Sequence, residues 1–461
     1  MIFSSNIFLF SFLPLFLSIY YLTNDKYKNL VILAASYAFY AWWRIDFLLL
    51  FIVVTGFNYY IGLNISTTVK KLFWLRIGVV GNLLVLAYFK YANFGVDSFN
   101  TVLTTVGIAP FNLVNIILPI GISFYIFQSI SYIVDVYRKD APATKNIIDF
   151  AAFVALFPQL IAGPVLRYKD LVGQFKCRQH SLAKFGQGCS WFMIGFIKKV
   201  FIADSLAPIV DTSFAVASPD LIEAWTAAFA YTAQLYFDFS GYSDMAIGLG
   251  LMMGFRFINN FNQPYISQSI TEFWRRWHIS LSSWLRDYLY IPLGGNRKGT
   301  IKTYRNLFLT MLLGGLWHGA NWTFLLWGAW HGAWLALEKK LKLGRYKSFN
   351  PVAWLFTLFI VILGWVMFRA NSVSEALSLY KAMFGFNGLS SQSAIALDSI
   401  QTSVLVLAYV TIVIAGFLPK LKRKVQVKWS RIASYMLVPL FAISVLKLSA
   451  QSYSPFLYFQ F

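Results

Sequence analysis

Apolar segments long enough to cross the ~30 Å hydrocarbon core of a bilayer recur from one end of this 461-residue sequence to the other. Charged residues make up 12% of the chain and hydrophobic residues 58%, whereas a soluble globular domain carries about 25% charged residues. The mean hydropathy is +0.61. These features exclude a water-soluble domain and predict an all-α polytopic membrane protein.

The basic residues indicate how the chain is threaded through the membrane. The formal net charge is +21, and the positive-inside rule assigns clusters of Lys and Arg to the cytoplasm. Two apolar stretches, Phe150 to Ala162 and Leu307 to Leu337, have basic clusters at both ends and therefore begin and end on one side. Each is expected to form a re-entrant hairpin or a pair of short helices, surrounded by protein or a water-filled cavity. The whole pattern predicts a single domain over residues 1–461, with ten to twelve transmembrane helices plus re-entrant and interfacial helices around a central cavity.

The large positive charge has two interpretations that composition leaves open. It can reflect topology together with attraction to anionic membrane lipids. It can also indicate a phosphate-rich partner on the cytoplasmic side. No nucleic-acid partner is expected.

The segment GGLWHGANWTFLLWGAWHGA, residues 314–333, holds two histidines in the same Trp-His-Gly-Ala context. His318 and His331 are 331 − 318 = 13 residues apart, which is about 220° around a continuous helix at ~100° per residue. The two rings can line one site only if the helix breaks between them. His318 adjoins the glycines at the expected bend and is the predicted catalytic residue, since ionisable groups at this depth default to function. His331 is expected to form a packing hydrogen bond.

A third histidine, His278, lies in the amphipathic stretch Glu272 to Gly299, EFWRRWHISLSSWLRDYLYIPLGGNRKG. Interleaved aromatic and basic residues predict a helix lying in the cytoplasmic interface. One interpretation is a lipid-surface anchor. The other is that its cationic groups bind the phosphates of a cytoplasmic donor. The candidate donor-binding residues in this stretch are Arg275, Arg276, Arg286, Arg297 and Lys298.

Other polar residues receive simpler predictions. Asp238 and Asp244 follow an apolar crossing and are expected to form structural ion pairs with Lys198 and Lys199, because buried carboxylates need partners. His180, in a polar loop, is expected to be solvated. The sequence holds no HExxH, GxSxG or Walker motif, and no cofactor or bound metal is expected.

Several long motifs resemble one family when taken in order: LPIGISFYIFQSISYIVDVYR, YFDFSGYSDMAIGLGLMMGFRFINNFNQPY, FWRRWHISLSSWLRDYLYIPLGG, LLGGLWHGANWTFLLWGAWHG and GWVMFRANSVSEAL. They are similar to the membrane-bound O-acyltransferases, and within them to the bacterial branch with alginate O-acetyltransferase and teichoic-acid D-alanyltransferase. The resemblance runs over about residues 1–461. It implies that His318 is the family's invariant histidine and that His278 is its second polar residue. His318 would act as general base, while His278 or Asn321 would stabilise the oxyanion or orient the thioester.

The resemblance implies transfer of an acetyl group from cytoplasmic acetyl-CoA, used as a substrate, to an exported polysaccharide such as alginate. A periplasmic partner would complete the transfer, and the enzyme would lie in the bacterial inner membrane. The first alternative is D-alanyl transfer to a cell-wall polymer from an acidic carrier protein. An alternative of another class is a polysaccharide or lipid transporter, although the hydropathy pattern shows no inverted repeat.

Overall fold

The structure is a computed structural model that describes the chain except for residues 162, 345, 347, 390–397, 419–422 and 451–461, and except for the side chains of 423–431. Twenty α-helices occur in the described residues, and no strand occurs there. They are α1 Leu13–Leu22, α2 Lys28–Ala41, α3 Ile45–Thr67, α4 Lys71–Leu86, α5 Ala92–Thr105, α6 Ile122–Arg138, α7 Ile147–Ala155, α8 Phe157–Leu160, α9 Tyr168–Lys176, α10 Leu182–Phe196, α11 Asp204–Phe214, α12 Leu221–Met252, α13 Ile270–Arg276, α14 Ile279–Leu285, α15 Thr300–His318, α16 Trp322–Leu341, α17 Pro351–Arg369, α18 Val373–Met383, α19 Ser399–Phe417 and α20 Arg423–Ala450. Short π-helical segments cover Phe8–Phe12, Ala87–Tyr91, Ile197–Ala203 and Arg286–Tyr290, and 3-10 turns cover Asp25–Tyr27 and Pro264–Ile266.

Five of the described helical segments are long and apolar enough to cross a bilayer. They are Ile45–Thr67, Lys71–Thr105, Pro351–Arg369, Ser399–Phe417 and Ile432–Ala450. The all-α, multi-pass prediction is confirmed at this level. The larger count of ten to twelve spans stays a prediction.

The chain divides into two compact units, one of Met1–Gly186 with Leu249–Ile258 and one of Gln187–Gly248 with Asn259–Phe461. The prediction of a single domain over residues 1–461 stays a prediction.

The first unit packs α1 to α9 around aromatic side chains. Phe8, Phe39 and Phe157 are fully or almost fully buried, and their ring centroids lie 5.5 to 6.4 Å apart. Asn58 of α3 and Asn82 of α4 are buried and exchange side-chain amide hydrogen bonds of 3.0 and 2.6 Å. This reciprocal pairing satisfies polar groups that would be costly to bury alone.

The first of the two stretches predicted not to cross the membrane, which begins at Phe150, is a broken helix. α7 ends at Ala155 and α8 begins at Phe157, so a nine-residue helix is followed by one of four residues. A nine-residue helix is only about 14 Å long and cannot span a bilayer. Residues 150–161 are all buried, so the bend at Leu156 is surrounded by protein, as a non-spanning element requires.

The second stretch with basic flanks forms a helical hairpin in the second unit. α15 and α16 have 19 and 20 residues and are joined by residues 319–321, so a pair of helices is present, but each is about 30 Å long rather than short. A Cβ on Gly315 would overlap the carbonyl oxygen of Phe324, and one on Gly328 would lie 2.5 Å from the Met311 oxygen. Glycine at these positions lets the two backbones touch.

The buried charges of the second unit form the predicted ion pairs. Lys198 Nζ lies 2.6 Å from Asp244 Oδ2, and Lys199 Nζ lies 2.5 Å from Asp238 Oδ1. The Lys199 ammonium also reaches Asp204 Oδ1 at 2.8 Å, a partner that the sequence did not predict. These pairs satisfy carboxylates at positions that water reaches little or not at all.

His180 is partly rather than fully solvated. In the first unit its Nε2 lies 3.0 Å from the Tyr20 hydroxyl, and its ring packs on Tyr20 and Tyr21. Burial is the main cause that lowers the pKa of His180 below its usual value, with Lys28 and Arg178 acting in the same direction. A polar loop sequence does not show which of its residues will pack against distant aromatic rings.

Candidate active site

His278 breaks the amphipathic stretch in two. α13 ends at Arg276 and α14 begins at Ile279, and His278 between them has φ 43° and ψ 54°, in the left-handed region. The prediction of one surface helix is therefore wrong, and His278 is fully buried. A non-glycine residue in this region costs of order 1–3 kcal/mol unless its surroundings hold it there.

Asn260 holds this break in place. Its main-chain carbonyl accepts the Ile279 N–H at 2.9 Å, and its Oδ1 accepts the Ser280 N–H at 3.1 Å. The same Oδ1 accepts the Ser280 hydroxyl at 2.9 Å and lies 3.2 Å from His278 Nδ1. Because the Ser280 amide can only donate, this Asn260 atom is an acceptor, so His278 Nδ1 must carry a proton to bond to it. The neutral ring then has its lone pair on Nε2.

His318 meets His278 at the end of α15. The two ring centroids are 6.3 Å apart with an interplanar angle of 62°. Trp317 contacts both rings at 5.0 and 6.2 Å, and Phe239 packs edge-on against His278 at 4.7 Å. Aromatic side chains thus enclose two imidazoles that are 40 residues apart in sequence (318 − 278).

The space beside His318 is small. A pocket of about 10 Å³ is lined by Trp327, Trp365 and Phe368 together with the histidine, which is room for about one water molecule. Ligand sites usually offer about 300–1,000 Å³. A substrate group can enter this pocket only if its aromatic side chains move.

His331 lies in a sealed aromatic cluster on α16. The Trp274 indole N–H donates to His331 Nδ1 at 3.4 Å, and the rings of Trp274, Trp327 and Phe273 surround the imidazole at 5.1 to 6.3 Å. His331 is fully buried. Its bond is a packing hydrogen bond, as predicted, in which the ring accepts from an indole.

A large polar cavity lies beside this cluster in the second unit. Its volume is about 910 Å³, and its lining includes two of the predicted donor residues, Arg275 and Arg276. Lys339 and Lys342 add two more cations at the end of α16. The Arg276 guanidinium is bridged to Glu272 at 2.9 Å, whereas Arg275 is exposed. Four cations around a cavity of this size suit a ligand with several phosphates.

The other predicted donor residues lie outside this cavity. Arg286 forms an ion pair of 2.7 Å with the neighbouring Asp287. Arg297 and Lys298 are exposed on the turn before α15. Asn321 caps the start of α16, where its Oδ1 accepts the Thr323 N–H at 3.0 Å and its amide donates to the Asn371 carbonyl at 3.1 Å.

Asn321 and Lys339 therefore sit at opposite ends of α16. The 20 residues of this helix extend about 30 Å, so a single small group cannot contact both.

Sequence reasoning missed Asn260, Lys339 and Lys342 as site candidates. The signal for Asn260 was its place between two helical segments in a polar run, INNFNQ, after a long apolar helix. Lys339 and Lys342 were visible only as part of a basic cluster, because nothing in the sequence places the end of α16 beside α13.

Comparison with known proteins identifies the class. The sequence profile of the membrane-bound O-acyltransferase family matches residues 136–375, a range that includes both histidines of the pair. The chain belongs to the membrane-bound O-acyltransferase family.

The relatives extend this likeness over the whole chain. It is 61% identical, over the full length of both proteins, to the protein named "probable alginate O-acetylase AlgI" of Pseudomonas putida. It is 36% identical to the peptidoglycan O-acetyltransferase of Helicobacter pylori, over 100% of this chain and 98% of that one. A teichoic acid D-alanyltransferase of Streptococcus thermophilus is 28% identical over 50% of this chain and 60% of its own. The predicted enzyme class, an O-acetyltransferase in a multi-pass membrane protein, is confirmed.

Proposed function

We propose that this protein transfers an acetyl group from cytoplasmic acetyl-CoA across the membrane for O-acetylation of an exported polysaccharide such as alginate. The observation that carries the proposal is the His278–His318 pair inside an O-acyltransferase fold, in a chain 61% identical throughout to a named alginate O-acetylase. The enzyme would lie in the bacterial inner membrane, with the full family set of ten to twelve helices around a central cavity. A periplasmic partner would complete the transfer to the polymer.

His318 is the proposed general base. A neutral imidazole can take the proton of an acceptor hydroxyl while the hydroxyl oxygen attacks the thioester carbonyl. The C–S bond then breaks, the acetyl group stays on that oxygen, and the CoA thiolate leaves with the proton that the imidazolium returns. General-base catalysis of this kind contributes about 10²–10⁴-fold to a rate. The aromatic walls at Trp327, Trp365 and Phe368 would keep water out when the substrate occupies the site.

His278 is the proposed second catalytic residue. With Nδ1–H bonded to Asn260, its Nε2 can donate to an oxyanion only when the ring is doubly protonated. The neutral ring would instead accept a hydrogen bond and orient the reacting groups. The dependence of kcat on pH separates these two roles, because only the first requires His278 to hold a second proton.

The large cavity is the proposed donor site. Arg275, Arg276, Lys339 and Lys342 would bind the phosphates of acetyl-CoA and leave the thioester to reach the histidines. At the surface, Arg286, Arg297 and Lys298 would attract the negatively charged donor. Asn321, at the opposite end of α16 from Lys339, would stabilise the oxyanion or orient the thioester. No cofactor is required, since acetyl-CoA is a substrate.

Labelled acetyl-CoA tests the proposal. Membrane vesicles that contain the wild-type enzyme, the exported polymer and the periplasmic partner are expected to transfer radioactive acetyl to the polymer, and vesicles with His318→Ala are not. Transfer by His318→Ala at the wild-type rate would falsify the assignment.

D-alanyl transfer is the second candidate, on the strength of the 28% identity over half the chain. Protection against thermal unfolding distinguishes the donors. Acetyl-CoA should raise the Tm of the purified enzyme, whereas protection only by an aminoacyl-loaded carrier protein would favour the alternative.

A further inference from the structure

Glu338 is a buried carboxylate to which neither the sequence nor the proposed chemistry assigns a role. It lies near the end of α16, is 8% exposed, and forms part of the wall of the large cavity among four cations. A carboxylate in that wall would repel a donor rich in phosphates. Its position therefore needs an explanation other than contact with the donor.

Both oxygens of Glu338 are bonded to the start of α13. The Ile270 N–H donates to Oε1 at 2.5 Å, and the Thr271 N–H and hydroxyl donate to Oε2 at 2.9 and 2.8 Å. These donors are 67 and 68 residues away in sequence. The N–H groups of a first helical turn have no partner within their own helix, so the carboxylate satisfies them, and both of its oxygens are hydrogen-bonded in return.

The same face of α16 contacts α13 at a second level. His331 lies seven residues before Glu338, two helical turns away. It accepts the indole N–H of Trp274, and Trp274 also packs on Trp327 at 5.7 Å, one turn further along. α13 therefore runs along α16 from Glu338 toward the pocket of His318, whose ring lies 5.1 Å from Trp327.

We infer that Glu338 is a positioning residue that fixes the axial register of α13 on α16 and, through it, the placement of His278 beside His318. α13 ends at Arg276, and His278 follows two residues later. Thr271 to Arg276 spans about 8 Å of helix at a rise of about 1.5 Å per residue, and His278 follows after the extended residue Trp277. A shift of α13 moves His278 and the donor-cavity residues Arg275 and Arg276 together. Since misplacement by about 1 Å can cost 10²-fold in rate, the contact has a catalytic consequence.

The inference rests on the proposed function for its kinetic readout. The test compares Glu338→Ala, Glu338→Gln and wild type as purified enzymes, with kcat expressed per folded molecule and KM measured for acetyl-CoA. Glu338→Ala is expected to lower kcat by about 10- to 100-fold. Glu338→Gln keeps one acceptor oxygen and is expected to recover part of that loss. The control is Glu223→Gln, because Glu223 is also a buried carboxylate that accepts a main-chain N–H, but from its own helix start at Asp220.

Hydrogen exchange gives a readout that does not depend on the reaction. Glu338→Ala is expected to speed exchange in peptides that cover residues 270–280, and Glu223→Gln is not. Glu338→Gln is expected to fall between Glu338→Ala and wild type, and it keeps the test usable if Glu338→Ala does not fold.

Failure of the proposed function and failure of the positioning role of Glu338 would give different results. If wild type transfers no acetyl group, the proposed function fails. If wild type is active and the Glu338 variants lose only folded protein, with kcat per folded molecule unchanged, the positioning role is overturned.

Discussion

His318 and His331 share the same four-residue context, yet the structure gives them different surroundings. His318 ends α15 beside a small pocket and faces His278. His331 lies inside α16, fully buried, with its Nδ1 bonded to an indole. The comparison teaches that position within the hairpin, not the Trp-His-Gly-Ala motif, separates a candidate catalytic histidine from a packing histidine.

The largest expected effect on activity is at His318, the histidine of the candidate catalytic pair. His318→Ala should lower kcat by roughly 10³-fold, because loss of a general base removes proton transfer in the transition state. Acetyl transfer by the reconstituted enzyme measures this, with thermal unfolding as the check on folding. A decrease of kcat of less than tenfold in a folded variant would show that a group other than His318 is the general base.

A smaller decrease of kcat is expected for variants of Asn260, which is hydrogen-bonded to His278. Asn260→Ala removes the acceptor of His278 Nδ1 and should lower kcat by about 10-fold, the equivalent of one hydrogen bond to a reacting group. Asn260→Asp keeps an acceptor oxygen and should restore part of the rate while shifting the pH profile of kcat. Equal losses in both variants, with no change in that profile, would mean that Asn260 only supports the fold.

The donor cavity predicts a change in KM rather than in kcat. The double variant Lys339→Ala/Lys342→Ala should raise KM for acetyl-CoA by about 10-fold, because both lysines are exposed and exposed ion pairs contribute only about 0.2–1 kcal/mol each. The difference from wild type should shrink at high ionic strength. Exchange of the exposed Lys26 and Lys70 for Ala is the matched control and should leave KM unchanged.

The smallest effect on activity is expected at His331. His331→Phe keeps an aromatic ring in the cluster but removes the acceptor of the Trp274 indole. Stability should fall by about 1–3 kcal/mol for the unsatisfied donor, while kcat per folded molecule stays within about threefold, since small losses of packing move the rate far less than loss of a base. Thermal unfolding and acetyl transfer measured side by side decide this. A kcat as low as that of His318→Ala would erase the distinction between the two histidines.

Much of the site could be predicted because its chemistry follows from the types of its residues and of their neighbours in the sequence. The sequence alone showed imidazoles in apolar surroundings, a basic stretch around His278, and aspartates that need partners. The predicted ion pairs of Lys198 and Lys199 with these aspartates are confirmed. The amphipathic stretch was predicted as one helix because its pattern is continuous. Its break at His278 depends on Asn260, which lies 18 residues earlier and meets His278 only in the folded chain.

The sequence by itself determined the class of this protein, because apolar length and charge distribution leave a chain like this few stable environments other than a bilayer. It also predicted a general base at His318 through motifs that resemble one family. Tertiary structure alone decided which polar groups meet: His278 with Asn260, Lys199 with Asp204, and Glu338 with the start of α13. The physical reason is that composition acts through transfer of each residue from water, whereas hydrogen bonds act over about 3 Å between atoms that only the folded chain brings together.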